Sequence, residues 1–314
     1  MASQAVLITE DLSLHYGAHH VLKPLNIVIN SGELIAIIGP NGAGKTSLIK
    51  SLCGRVTPKG QIYITGEELG HKADRRAFIG LVPQDIGLYP HLSAKENLQV
   101  IARLLKVPAK SRKEAVQEAL DAVGMSAKSD ARVSTLSGGM KRRINVAAAI
   151  MNKPPLLIFD EPTAGVDIPA RDVVHRLARE LADKGMTVLL VTHELEQAEA
   201  LCDRVLVLSE GQKLAFDTPA AILSQAYGQK REVVVRFTEV PNAQTLTSMQ
   251  PFAFRQGELP TIWQAVTNAS EVSFVSAFMT TLKGGNENIR EITVRRPGLN
   301  TLMHHIENTG ELPQ

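Results

Sequence analysis

The chain of 314 residues carries 34 Lys plus Arg against 32 Asp plus Glu, a formal charge of +2, with 44% of its residues hydrophobic and 21% charged. This is ordinary globular composition, long enough for about two domains, and the balanced charge excludes the cationic field of a dedicated nucleic-acid binder. Apolar runs such as Leu34 to Ile38 and Leu156 to Phe159 fall far short of the roughly 18 to 20 residues that span a bilayer. The opening MASQAVLITEDL lacks the basic stretch and apolar core of a signal peptide. Cys53 and Cys202 make neither a disulfide scaffold nor a metal site. The composition therefore reads as a cytosolic chain that does not itself cross a membrane.

Short branched apolar runs between segments of helical period predict an α/β protein with a buried parallel sheet covered on both faces. The first strand expected is Glu33–Ile38, and Gly39-Pro40-Asn41-Gly42-Ala43-Gly44-Lys45-Thr46 follows it directly, a complete match to G-x-x-x-x-G-K-[ST]. Glycines let backbone N–H groups close on a phosphate at the start of the next helix, where the dipole favours negative charge. Lys45 is placed at the β- and γ-phosphates and Thr46 at Mg²⁺, with Ser47 also among the nucleotide-binding residues.

From about Gln84 to Met151 the chain reads mainly helical, with breaks at Pro90, Pro108 and Gly124. Asp85 to Leu92 is apolar for a loop and is expected to receive a partner through Leu88 and Tyr89. Leu136-Ser137-Gly138-Gly139-Met140 is a turn opening a helix at about Met140, with Ser137 as N-cap and a second anion site at that end. Lys141, Arg142 and Arg143 crowd its first turn, a placement that an incoming anion would relieve. Two phosphate-facing elements beside one phosphate loop suggest a symmetric dimer sharing two nucleotides.

The register Met140, Ile144, Ala148, Met151 leads into the strand Pro155–Phe159, which ends on Asp160-Glu161. Strand alternation points these neighbours apart, so Asp160 is assigned to the metal and Glu161 to the attacking water. Asn152-Lys153 begins a guanine-selecting pattern, but Pro155 stands where its acid belongs, which disfavours GTPase chemistry. Val173, Val174, Leu177 and Leu181 mark an amphipathic crossover helix. Strand Met186–Val191 then delivers His193 to the phosphate edge, where an imidazole can contact the γ-phosphate. Strand Arg204–Leu208 completes the set. The pairs His19-His20 and His304-His305 lack the acids or thiols of a metal site. Composition shifts near Gly228, giving a first domain over 1–228, with a helical subdomain over about 84–152, and a small α+β domain over 229–314. That domain is expected to contain strands near Glu232–Phe237 and Ile289–Val294 and a last helix after Pro297.

These elements, in this order over residues 5 to 228, resemble the nucleotide-binding subunits of ABC transporters. The resemblance implies a P-loop ABC-type ATPase using ATP and Mg²⁺, whose Ser137, Gly138 and Gly139 close on the ATP of a second ATPase subunit. It implies Asp160 as metal-side acid, Glu161 as catalytic base, His193 as switch histidine and Ala164-Gly165-Val166-Asp167 as the loop across the dimer. Gln84 matches the glutamine that senses Mg²⁺ and attacking water, and Tyr16 the aromatic that stacks on adenine. Met140 replaces the usual glutamine of the signature. That methionine, Lys141-Arg142-Arg143 and the partly matching tail VRRPGLNTLMHHIENTG resemble the bacterial exporter branch. This branch handles drugs, sodium, lipids or polysaccharides with a separate integral-membrane permease, on the cytoplasmic side of the membrane. The alternatives are an importer subunit, or a soluble ABC ATPase acting on ribosomes or nucleic acid. The latter is opposed by the single phosphate loop and the lack of a sustained heptad run.

Overall fold

The computed structural model describes residues 4–70, 75–163, 168–257, 259–268, 270–282 and 288–313, with only the backbone described for 168–170 and 271. The chain divides into two compact units, Met1–Pro219 and Ala220–Gln314.

In the first unit, β1 (Ala5–Tyr16) and β2 (His19–Asn30) form a long hairpin. With β4 (Lys59–Ile64) and β5 (Glu67–Glu68) they make an antiparallel sheet ordered β2-β1-β4-β5. The second sheet contains β3 (Leu34–Ile38), β6 (Ile79–Val82), β7 (Leu156–Asp160), β8 (Thr187–Val191), β9 (Arg204–Ser209) and β10 (Gln212–Asp217). Its order is β10-β9-β3-β8-β7-β6, parallel except for β10. Every residue of β3 and β8 is buried, which is why these strands read as unbroken apolar runs instead of alternating ones.

Helix α1 (Lys45–Leu52) joins the two sheets. Its Leu48 and Leu52 share one core with Leu7 and Leu22 of the hairpin and Ile35, Ile37 and Leu206 of the parallel sheet. Helices α2 (Ala94–Leu104), α3 (Arg112–Ala122) and α4 (Gly138–Ile150) pack on one another, and α2 begins with a capping box of Ser93 and Glu96. Helices α5 (Ile168–Asp183) and α6 (Leu195–Leu201) both contact β3.

The second unit opens with α7 (Pro219–Tyr227), so the seam lies ahead of Gly228. It continues through β11 (Arg231–Phe237), α8 (Ala243–Met249), β12 (Arg255–Gln256), β13 (Ile262–Thr267), α9 (Glu271–Thr281), β14 (Ile289–Arg295) and α10 (Leu299–Thr309). Its antiparallel sheet, ordered β12-β13-β11-β14, has the split β-α-β-β-α-β arrangement. Val233, Val235 and Phe237 pack with Met249, Phe274 and Phe278. By alternation, Glu232 turns to the other face, where Thr301 of α10 and Arg295 bond its carboxylate.

A buried arginine ties down the far end of α1. Arg75 is 6% exposed and donates to the carbonyl oxygens of Ser51, Leu52 and Leu69, placing a cation at the negative end of the helix dipole. Replacing Arg75 with Met orphans these buried carbonyls. The expected loss is about 2–4 kcal/mol of stability, measured by urea unfolding; a loss within about 0.5 kcal/mol would remove the clamp from the argument.

Candidate nucleotide site

The phosphate loop leaves β3 at a point of close backbone approach. Gly39 has φ 156°, and a Cβ there would lie 2.2 Å from the Leu208 carbonyl oxygen. Gly44, the N-cap of α1, has φ 98°, and a Cβ there would stand 3.0 Å from the Val21 carbonyl oxygen. A side chain at either position is therefore strained or clashes. Ala43 N–H donates to Pro40 O at 3.1 Å, closing the loop on itself. Lys45 is buried, and its ammonium donates to the carbonyl oxygens of Gly39 at 2.6 Å and Pro40 at 3.0 Å. Asn41, Gly42 and Thr46 are exposed and Ser47 half-buried. The first turn of α1 contains no acid, so the positive end of its dipole is uncompensated by any side chain there. Glycine cradle, buried ammonium and bare helix start together form a donor set fitted to a polyphosphate.

The two carboxylates stand at the end of β7 in different backbone states. Asp160 is the last strand residue, whereas Glu161 has φ 47° and its N–H donates to Val191 O at 3.1 Å. A left-handed turn, beyond simple strand alternation, thus sets the direction of Glu161, at a strain of about 1 kcal/mol or more. Burial, and secondarily the charge of Glu161, raises the Asp160 pKa, while Arg55 and Lys50 oppose the rise. Glu161 Oε1 lies 3.0 Å from His193 Nε2. His193 follows β8 in a turn in which Glu194 N–H donates to Thr192 Oγ1 at 2.9 Å. The Glu194 carboxylate pairs with Arg171 of α5 at 2.6 Å. The structure therefore brings Glu161 and His193 into direct contact, with Asp160 one residue away.

Ser137, Gly138 and Gly139 sit at the start of α4, which begins at Gly138, two residues earlier than expected. The Met140 N–H donates to Ser137 Oγ at 3.3 Å, so the serine caps the helix. Ser137 and Gly138 are exposed, and nothing lies within 4 Å of a Cβ built at Gly138. The basic turn divides in two. Lys141 and Arg143 are half-buried, but Arg142, expected among the cations awaiting an anion, is 2% exposed and turned inward. Its guanidinium donates to the backbone oxygens of Pro83 and Gln84, both at 2.7 Å. Asn145 adds a bond to Asp85 O at 3.3 Å. This link between α4 and the loop carrying Gln84 was missed because α4 is buried over most of its circumference, so no polar stripe identifies which arginine turns in. The Gln84 residue itself is exposed.

Of the remaining expectations, Tyr16 closes β1, pairs with His19 and is 49% exposed; the returning strand then brings Val21 beside Gly44. The segment Ala164-Gly165-Val166-Asp167 lies outside the described residues. In the apolar loop Leu88 is 9% exposed and serves the core, whereas Ile86 and Tyr89 are exposed. Asn97, fully buried, holds the loop by accepting from Tyr89 N–H at 2.7 Å and donating to Tyr89 O at 3.0 Å. His20 stacks on His15 at 3.9 Å, a packing contact. Among the described residues no His, Cys, Asp and Glu group is arranged to hold a metal by itself, and no helix is long and apolar enough to cross a membrane.

Residues 22–164 match the family model described as ABC transporter. The chain is 37% identical to the linearmycin resistance ATP-binding protein LnrL of Bacillus subtilis over 225 residues, covering 71% of this chain and 72% of that one. It is 39% identical to the Nod factor export ATP-binding protein I of Paraburkholderia xenovorans over 227 residues, covering 72% and 75%. Among solved structures, cbiO1 of Clostridium perfringens, part of the ABC transporter complex cbiONQ, aligns with a TM-score of 0.66 at 29% identity, covering 71% of this chain and 92% of that one. A dimeric ATP-binding cassette in a post-hydrolysis state, bound to ADP and Pi, aligns with a TM-score of 0.58 at 26% identity, covering 68% and 98%. With the phosphate loop, paired carboxylates and capped Ser-Gly-Gly turn in one α/β unit, these similarities make the conclusion plain: the chain belongs to the family of ATP-binding subunits of ABC transporters, nucleotide-binding ATPases coupled to transport.

Proposed function

We propose that this chain powers a bacterial exporter, working as a dimer that closes on two ATP molecules and drives a separate membrane permease. The observation that carries the dimer is the signature turn. Gly138 is exposed, has room for a side chain and lacks a positive φ, so its own fold does not demand a glycine. A phosphate-bearing surface approaching Ser137 and the free N–H groups of α4 does. The exporter direction rests on relatives named for linearmycin resistance and Nod factor export.

In this reading Lys45 and the N–H groups of residues 39–46 hold the β- and γ-phosphates, and Tyr16 stacks on the base. Thr46, Asp160 and Gln84 would hold Mg²⁺, which when bound neutralises charge on the phosphate oxygens. Glu161 accepts a proton from the water whose oxygen bonds to the γ-phosphorus as the bond to the ADP oxygen breaks, giving ADP and phosphate. His193 engages Glu161 at 3.0 Å and orients the carboxylate that receives this proton. Arg142, bonded to the backbone of Pro83 and Gln84, makes the glutamine loop and the signature helix move together. The exposed pair Ile86 and Tyr89, on the same loop, offers the apolar surface for the permease on the cytoplasmic side.

Replacing Glu161 with Gln keeps the shape and removes the base. ATP should remain bound, turnover should fall by roughly 10²–10⁴, and a dimer should accumulate with ATP in size-exclusion chromatography; normal turnover would refute the base assignment. Ile86→Ser with Tyr89→Ser should leave ATP binding intact and abolish substrate export from cells, so export at the normal rate would remove the docking surface. Asp160→Asn tests the electrostatics of the site. Because folding raises the Asp160 pKa above 3.8, its ionisation costs stability as pH rises through the folded value. With chelator present and no nucleotide, the Asn variant should melt higher than wild type at neutral pH, and the gain should fade below the unfolded pKa. An unchanged Tm at neutral pH would contradict the raised pKa.

A further inference from the structure

On the face of the second unit's sheet opposite the phenylalanine core lies a cavity of about 320 Å³, within the usual range of small-ligand sites. Several parts of the chain converge on it. Tyr227 and Lys230 come from the end of α7 and the residues after it, Arg255 from β12, and Thr301, His304 and His305 from α10. The spacing of these last three places them on one side of the helix. The lining residues include no acid. Glu232, whose charge is felt by Tyr227, is fully buried and already matched: Arg295 Nε and Thr301 Oγ1 each donate to its carboxylate at 2.6 Å.

The Tyr227 hydroxyl is the anomaly. Tyr227 is 6% exposed, lines the cavity, and its hydroxyl has no hydrogen-bond partner among the described residues. Leaving such a group unpaired is costly, a cost that an acceptor reaching it would recover. Burial, with the nearby charges of Arg255, Lys230 and His304, also holds the His305 imidazole below its usual pKa range. Arg255, Lys230 and two imidazoles thus line one cavity while a buried donor goes unused. We propose that this cavity binds a small phosphate monoester, its dianionic head taken by Arg255, Lys230 and the two histidines and an oxygen accepting from Tyr227. Two permanent cations with two titratable imidazoles match a dianion better than a single carboxylate. The proposal concerns the second unit alone and stands whether or not the exporter reading does.

Trp263, the one tryptophan of the chain, precedes the lining residue Gln264 and reports on this unit. The full chain is titrated with inorganic phosphate and with glucose 6-phosphate at constant ionic strength, following Trp263 emission. Both probes should give a saturable change, tighter for the monoester and preserved in Lys45→Ala, which disables the phosphate loop. Arg255→Gln should weaken binding by roughly tenfold or more, and Arg255→Lys should restore part of it. Tyr227→Phe keeps the ring in place and should also weaken binding, with circular dichroism confirming the fold. A response lost in Lys45→Ala would assign the signal to the nucleotide site and overturn the proposal. So would no saturable response, or equal affinities in wild type, Arg255→Gln and Tyr227→Phe.

Discussion

The loop that holds the phosphates can exist only because two backbones meet with no side chain between them. At Gly39 the chain passes so close to the Leu208 carbonyl that a Cβ would sit 2.2 Å from the oxygen, and at Gly44 it passes under Val21. These approaches connect β3, β9 and the hairpin to the first turn of α1, which carries Lys45 inward and Thr46 outward. Arg75 secures the opposite end of the same helix. A short helix of eight residues would be marginal alone; fixed at both ends and buried between two sheets, it becomes a rigid anion cradle.

The same edge of the sheet carries a cost that the fold does not need. Burial, and secondarily the charge of Glu161, disfavours the ionised form of Asp160 at the end of β7, and Glu161 adds a left-handed backbone turn. Both features are unfavourable for an isolated chain and useful for a site that must gather a polyphosphate and polarise water. The imidazole of His193 stands 3.0 Å from Glu161, on a turn held by the Glu194 N–H bond to Thr192 and the Arg171–Glu194 pair. Stability has been exchanged for charge where the chemistry of the family requires it.

Arg142 gives the first unit a mechanical connection as well. Buried guanidinium bonds to two backbone oxygens are costly to break, so α4 and the segment 83–85 form one body, with the signature turn at one end and the exposed Ile86 and Tyr89 close to the other. In the proposed function this body would carry a displacement at the nucleotide to the exposed apolar pair. The second unit is constructed differently, with one sheet face given to a phenylalanine core and the other to the buried Glu232 carboxylate and a cavity lined by exposed or half-buried cations.

The sequence alone determined the parallel sheet, because strands buried on both faces must be continuously apolar: β3, β7, β8 and β9 lie within a residue or so of their expected bounds. It also determined the phosphate loop and the acidic strand end, whose chemistry depends on residues adjacent in the chain. The long hairpin carried a weaker signal because its bulges interrupt alternation, and the short strands β4 and β6 because they pair with segments distant in the chain. Only the tertiary structure decided that Glu161 meets His193 across 32 positions, that Arg142 turns in to bond the glutamine loop, and that Leu88 belongs to the core while Tyr89 faces outward. Local pattern records how polar a residue is and on which side of its own element it falls. Which distant backbone lies opposite that side, and hence whether a charge finds water, a carbonyl or another charge, is settled only when the elements pack.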